Sequence, residues 1–314
     1  MSQSKKLIVV SGATGAQGGS VVNSLLATGH YKIRGLTRKP DSEKAKALKS
    51  KGVEVFKCDL ANKDDVKDAL TGADIAWIVT NFWDPSIVGQ DVKEEERQGK
   101  MIADIAKEVG VNWLIYSSLP DTTTESEGKY SEIIHFAGKN RVEQYIRKSG
   151  IPNVTFAYLG FYSQNFGVFI PQVEKDNEVT LMFPYLEETD KLPMIDTEND
   201  TGPIVAKIIE EGPEKWNGKK VPVAAEYATL KSITESFTKA TGKTYKIKTL
   251  QNDDEIAKET PFLNNEEAKQ MYKWFKEFGY YGKDTEVSDL STAKKLHPSI
   301  KTFEQFVTQN YGKA

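Results

Sequence analysis

Short apolar runs in the first half of the chain alternate with stretches whose apolar residues recur every three to four positions, the order of parallel β-α units. The run 7–10 reads as a buried strand. Val21, Val22, Leu25 and Leu26 then follow at helical spacing, and Gly29 stands where a helix end favours a left-handed residue, so the first unit closes near residue 29. Further strands are predicted at 31–37, 53–58, 75–79, 113–116 and 154–159. Between them lie a short charged helix at 43–51 and a long one from about 91. The long helix is charged at its start and apolar at Met101, Ile102, Ile105, Ala106 and Val109. The polar stretch 119–129 lacks periodicity and reads as a mobile loop. In the helix after it His135 and Lys139, four apart, share a face with Val142 and Ile146. Beyond 166 the alternation loosens into short strands at 179–183, 191–195, 221–224 and 245–250 and a helix from about 202 to 211. Three more helical stretches follow, the last opened by the capping box Thr302 and Gln305. Aromatic residues are dense between Met271 and Tyr281, as core beneath a substrate side or as a partner surface. The predicted fold class is α/β: a Rossmann-type doubly wound parallel sheet over 1–160. The chain from 161 to 314 reads as a smaller C-terminal α/β part.

Composition narrows the chemistry. A chain of 314 residues, 39% hydrophobic and 28% charged, suits one large α/β domain with additions or two small ones. No apolar run is long enough for a signal peptide or membrane helix, so a cytoplasmic location is expected, with the nucleus open. The single cysteine, Cys58, excludes an internal disulfide framework, and it reads as a packed thiol. The three histidines are too scattered for a metal site. A formal charge of −3 argues against direct nucleic-acid binding, so any role in transcription would run through another protein.

The strongest chemical signal is LIVVSGATGAQGG, residues 7–19. A strand stops at Ser11, and the turn Gly12-Ala13-Thr14-Gly15-Ala16-Gln17-Gly18 opens a helix. Gly12 permits the bend, Gly15 allows close approach of a pyrophosphate, and Gly18 lets the helix pack near its strand, while the helix start faces the anion with free N–H groups. Arg38, followed by Lys39 and Pro40, lies past the second strand, where dinucleotide folds hold an acid for the ribose of NAD or a base for the 2′-phosphate of NADP. A basic residue there points to NADP(H). Asp59 and Leu60, ending the third strand, are candidates for the adenine pocket, with a helix-capping Asp59 equally open. The loops 80–83 and 160–166 leave strand ends and should face the ligand.

Taken together, GATGAQGGSVV, TRKP, VTNFW, ERQGK, HFAGK followed by VEQY, GFYSQNF and TFEQFVTQN resemble the NmrA-like proteins, an atypical branch of the short-chain dehydrogenase superfamily. The matches run from residue 7 to near 310. The resemblance implies that the C-terminal part, 161–314, closes over the cleft and returns some segments to the Rossmann sheet, and it implies an NADP(H) site with the pyrophosphate on Gly12 to Gly18 and the 2′-phosphate on Arg38. It also puts Asn81, Arg97, Lys139, Tyr162, Ser163, Gln164 and Asn165 near the cofactor, with Arg97 standing where the family often has Lys. Family members are typically regulators or redox sensors that bind NADP(H) more readily than they turn it over, and the fungal namesake holds a transcription activator, so the resemblance implies weak or no dehydrogenase activity and a transcription factor or other regulatory protein as partner. Relatives also include NADPH-dependent reductases, so reduction of small quinones or enones is the alternative, and a homodimer stays open.

Ordinary members of that superfamily use Ser and Tyr-x-x-x-Lys, the phenol donating a proton as hydride arrives. Here Ser117 or Ser118 and Lys139 are present, but His135 stands where the Tyr should be. An imidazole can act as general acid, or it can simply be satisfied on a half-buried helix face. Lys139 reads as a ribose anchor rather than a participant in chemistry.

Overall fold

The six strands expected in the first half become parallel strands: β1 (Leu7–Val10), β2 (Lys32–Thr37), β3 (Glu54–Lys57), β4 (Ile75–Ile78), β5 (Trp113–Ser118) and β6 (Asn153–Leu159). The structure, a computed structural model, describes residues 5–88 and 90–312. The remaining strands are β7 (Phe161–Tyr162), β8 (Gln172–Lys175), β9 (Glu178–Pro184), β10 (Lys191–Ile195), β11 (Lys220–Val223), β12 (Glu226–Thr229) and β13 (Thr244–Leu250). The main sheet has seven strands in the order β11-β6-β5-β4-β1-β2-β3. Chain order reverses between β1 and β4, the topological switch point at which Rossmann folds bind nucleotides. Two three-stranded sheets, β12-β10-β7 and β13-β9-β8, complete the strands.

Two compact units interleave along the chain. One comprises residues up to Leu119, Gly138–Tyr158 and Thr197–Val221; the other Pro120–Ala137, Leu159–Asp196 and the chain from Pro222 onward. The first contains the switch point and the helices α1 (Ala16–Thr28), α2 (Glu43–Ser50), α3 (Lys63–Leu70) and α4 (Glu94–Glu108). Helix α5 (Thr122–Glu125) lies within the stretch expected as an irregular loop. It forms because Asp121 accepts the N–H of Thr124 at 3.0 Å and its buried Thr122 anchors it. Then come α6 (Ile134–Lys148) and α7 (Thr197–Glu211). Helix α7 starts well before Gly202, the residue read as its beginning. Gly202 is instead an interior contact: a Cβ there would lie 2.0 Å from the carbonyl oxygen of Ser20 in α1, and its N–H reaches Ser20 Oγ at 2.9 Å. Glycine thus serves helix packing, not helix initiation.

The core of the second unit is largely aromatic. Phe166, Phe237 and Phe303 meet with ring centroids 5.1 to 5.7 Å apart, and Tyr272, Trp274, Phe275, Tyr280 and Tyr281 of the aromatic stretch are buried. Among the described residues no helix is long and apolar enough to cross a membrane.

Candidate nucleotide site

At the end of β1 the chain turns through Gly12, whose φ of +61° belongs to the left-handed region that favours glycine. Gly15 is the N-cap of α1 and supplies no side chain, so the N–H groups of Ala16 and Gly18 have no capping partner, and no backbone carbonyl among the described residues accepts them. The three glycines differ in what surrounds them. A Cβ on Gly18 would lie 2.3 Å from Gly12 O and 2.4 Å from Ser11 O, whereas one on Gly15 would meet only Gly12 O, at 3.3 Å. Gly18 is therefore needed by the fold, and Gly15 leaves room above the turn. Ala13 donates to Leu36 O at 3.3 Å, which ties the turn to β2. Gly35 makes this approach possible, since a Cβ there would stand 2.9 Å from the Cβ of Ala13.

The switch point is laced by Ser11. Its buried hydroxyl accepts the N–H of Val79 at 2.7 Å and donates to the Val79 carbonyl at 3.0 Å, joining the end of β1 to the end of β4. The next residue, Thr80, is the centre of a buried polar cluster. Lys139 donates to its carbonyl at 3.1 Å and its hydroxyl at 3.0 Å and forms an ion pair with Glu95, while Thr80 Oγ1 donates to Glu95 at 2.8 Å. Burial in this cluster, with the charge of Glu95 adding to it, pushes the Tyr116 phenol well above its ordinary value. Helices α4 and α6 align the ion pair by close contact one turn away: a Cβ on Gly99 would fall 2.6 Å from Val142 Cγ2. Lys139 is thus a hydrogen-bond donor held in place by Thr80 and Glu95.

At the ends of β2 and β3 a cleft of about 410 Å³ is lined by Arg38, Lys39, Pro40, Asp41, Ser42 and Lys57. Arg38 Nη2 pairs with Asp84 Oδ2 at 2.6 Å. The guanidinium of Arg38 and hydrogen bonds from Ser86 hold the Asp84 carboxyl down at about 2. The carboxylate of Asp59 closes a turn on the N–H of Ala61 at 3.0 Å, and the cap of α3 is Asn62, which takes the N–H groups of Asp64 and Asp65. Leu60 follows Asp59, half-buried. Asn81 is exposed, its carbonyl accepting the N–H of Asp84 at 3.3 Å. Arg97 pairs with Asp91 and Glu94, both at 2.5 Å, on an exposed face of α4, and no contact joins it to Arg38, Asn81 or Lys139 among the described residues. Ser117 and Ser118 are enclosed within β5. Cys58 is buried too, and burial first, then Asp65 and Asp59, pushes its thiol up to about 12.

The remaining candidates belong to the second unit. His135 is buried, its Nδ1 paired with Glu267 and its backbone N–H donating to the same carboxylate at 3.1 Å. Gln164 donates to the buried Asp196 at 2.8 Å, Ser163 is buried, and Tyr162 and Asn165 are half-buried.

A family model described as the NmrA-like family matches residues 4–307. The chain belongs to this family. An NmrA-like family domain-containing oxidoreductase of Aspergillus campestris is 34% identical over 259 residues, 77% of this chain and 75% of its own. The nitrogen metabolite repression protein of Emericella nidulans is 31% identical over 253 residues, 76% of this chain and 67% of its own. A solved structure of NmrA, a negative transcriptional regulator, in complex with NADP superposes with a TM-score of 0.81 at 25% identity, covering 98% of this chain and 96% of that one.

In this NmrA-like chain several residues at the site carry no obvious mark in the sequence. Ser11 meets Val79, Asp84 meets Arg38, and Lys57 shares the cleft with Arg38, all of them distant in sequence, so no local spacing signals these roles. Glu95 is different. It hides in the charged run 93–97, yet stepping back from Ile102 through Gln98 and Gly99 at helical spacing reaches it, and these residues form the buried face of α4.

Proposed function

We propose that this chain binds NADP(H) and works as a regulatory, redox-sensing protein whose nucleotide occupancy is read by a protein partner. The observation that carries the reading is the basic cleft of Arg38, Lys39 and Lys57, joined to an uncapped glycine turn through the Ala13 to Leu36 hydrogen bond. These residues fit a dinucleotide with a 2′-phosphate. The turn Gly12 to Gly18 would hold the pyrophosphate, Arg38 with the two lysines the 2′-phosphate, Asp59 and Leu60 the adenine side, and Lys139 a ribose. The nicotinamide, when bound, would supply or accept hydride. Arg97, Asn81 and the stretch Tyr162 to Asn165 stay in the proposed site on the strength of the family motif. The NADP complex of NmrA supports the cofactor, and the Emericella repression protein supports the regulatory role. A transcription factor or comparable regulator is the partner class, reached in the cytoplasm or nucleus.

Weak reduction of carbonyls follows from position 135. A phenolic donor is missing, and the imidazole is already engaged by Glu267. The reductase reading is kept by the relative named as an oxidoreductase. Titration with NADP⁺, NADPH, NAD⁺ and NADH tests the binding, followed by turnover on simple ketones, aldehydes and quinones and by limited proteolysis with and without nucleotide. Binding of the phosphorylated pair about tenfold tighter, lost in Arg38→Ala, is expected. Simple ketones and aldehydes should not turn over measurably. Quinone turnover of about 1 s⁻¹ or more, with proteolysis and sedimentation unmoved by nucleotide, would replace the sensor with the reductase.

A further inference from the structure

Arg38 already has an anion. The carboxylate that holds it, Asp84, is buried and fixed from several sides: its Oδ1 takes the N–H of Ser86 at 3.0 Å and the Ser86 hydroxyl at 2.7 Å. Its own N–H bonds to Asn81 O, and its carbonyl receives Ile87 and Val88 at 2.8 and 3.0 Å. Asp84 therefore keeps its place whether or not Arg38 turns to something else. The other two cations of the cleft, Lys39 and Lys57, are exposed and carry no ion pair among the described residues. Only the cation best suited to a bidentate grip on phosphate is countered from within.

We propose that Asp84 is a specificity-determining residue, an internal counterion for Arg38 that works against the 2′-phosphate and lowers the preference for NADP(H) over NAD(H). The inference rests on the nucleotide reading above. A phosphate that draws Arg38 away leaves Asp84 as a buried anion held only by Ser86 and backbone. A phosphate that shares the guanidinium, which has donors enough for both, comes within a few ångströms of a like charge. Either route costs NADP(H) some of what Arg38 offers. NAD(H), with a neutral hydroxyl at the same place, meets neither cost, and specificity is the difference between the two. The loop after β4 would thus set selectivity through a residue that never has to touch the phosphate.

The test is calorimetric titration of wild type and Asp84→Asn with NADP⁺ and NAD⁺, and with adenosine 2′,5′-bisphosphate and AMP, which isolate the phosphate from the nicotinamide. Asparagine keeps an acceptor for Ser86 and removes the charge; Asp84→Ser is the second variant should the first fail to fold. The ratio of NADP⁺ to NAD⁺ affinity is expected to rise about tenfold, with NAD⁺ binding unchanged and the bisphosphate gaining as NADP⁺ does. An unchanged ratio with both dinucleotides still bound overturns the inference and leaves the nucleotide reading intact. A ratio that rises because NAD⁺ binding falls also overturns it, since Asp84 would then serve the ribose hydroxyl. If wild type binds none of the four ligands, the nucleotide reading itself fails and the role of Asp84 falls with it.

Discussion

Gly15 and Gly18 belong to one motif but should fail for different reasons when changed to alanine. In Gly18→Ala the new methyl would stand 2.3 to 2.5 Å from the Ser11 and Gly12 backbone, where ordinary contact begins near 3.4 Å, so α1 would have to move by roughly 1 Å. Such overpacking costs about 3 kcal/mol when only backbone can yield, and the better helix propensity of alanine returns up to about 1. A net loss of about 2 kcal/mol remains. With unfolding entropy of about 2.1 cal/mol/K per residue, this corresponds to a Tm lower by roughly 3 °C. Gly15→Ala meets only Gly12 O at 3.3 Å and an extended backbone, and the N-cap preference for glycine over alanine is worth less than about 1 kcal/mol. Its Tm should move by roughly 1 °C, while NADP⁺ affinity falls at least about tenfold because the methyl occupies the approach of the pyrophosphate. Differential scanning calorimetry without nucleotide, then titration on the same samples, separates the two effects. The reasoning is refuted if both variants lose the same stability, or if Gly15→Ala binds NADP⁺ as wild type does.

Two further outcomes concern the buried charges. Glu95→Gln leaves the Lys139 ammonium buried without a counterion, so urea unfolding should show a loss of about 3 kcal/mol or more, largely recovered when Lys139→Met is added; an unaffected single variant would contradict the pairing. Asp84 has a folded-state pKa depressed to about 2 from an ordinary 3.8, so its contribution is present above pH 4 and is lost as pH falls towards 2. Discounted for the half-exposed Arg38, it is on the order of 1 kcal/mol; the stability gap between wild type and Asp84→Asn should narrow through that window, and a constant gap would refute it.

How legible each part was depends on whether its cause is local. Strands β1, β4, β5 and β6 are largely apolar and almost wholly buried, and a run buried on both faces announces itself. Strands β2 and β3 carry Lys32, Arg34, Glu54 and Lys57 and are legible only from the β-α alternation around them. The Gly12 turn is equally plain, because backbone freedom and anion approach each demand glycine at a fixed place. The start of α7 was misleading for the opposite reason: Gly202 and Pro203 look like a beginning, but the glycine is spent on contact with Ser20, which is distant in sequence. Strand β12 carries two polar residues in four and was hidden among loops. Arg38 was visible by position after β2, whereas its partner Asp84 is an acid among the apolar Phe82, Trp83, Ile87 and Val88 of an irregular loop, with no spacing rule to single it out. His135 and Lys139 share a helical face on paper, yet Glu267 takes one and Glu95 the other, choices made by elements that no local pattern connects.

The close seating of α7 on α1 bears on how this protein can be divided. The unit that carries the glycine turn takes in Thr197–Val221, which supplies α7, with its Gly202 pressed to Ser20, and the first half of the β11 edge. A gene fragment ending near residue 160 encodes the whole glycine turn and Arg38, yet it omits the helix covering Ser20 and leaves β6 as an open sheet edge. Such a fragment would carry a complete signature and an incomplete body, prone to pair with itself. A transplant of this unit into another chain has to bring residues 197–221 along with the glycine turn, which ties the early and late parts of this sequence to one another.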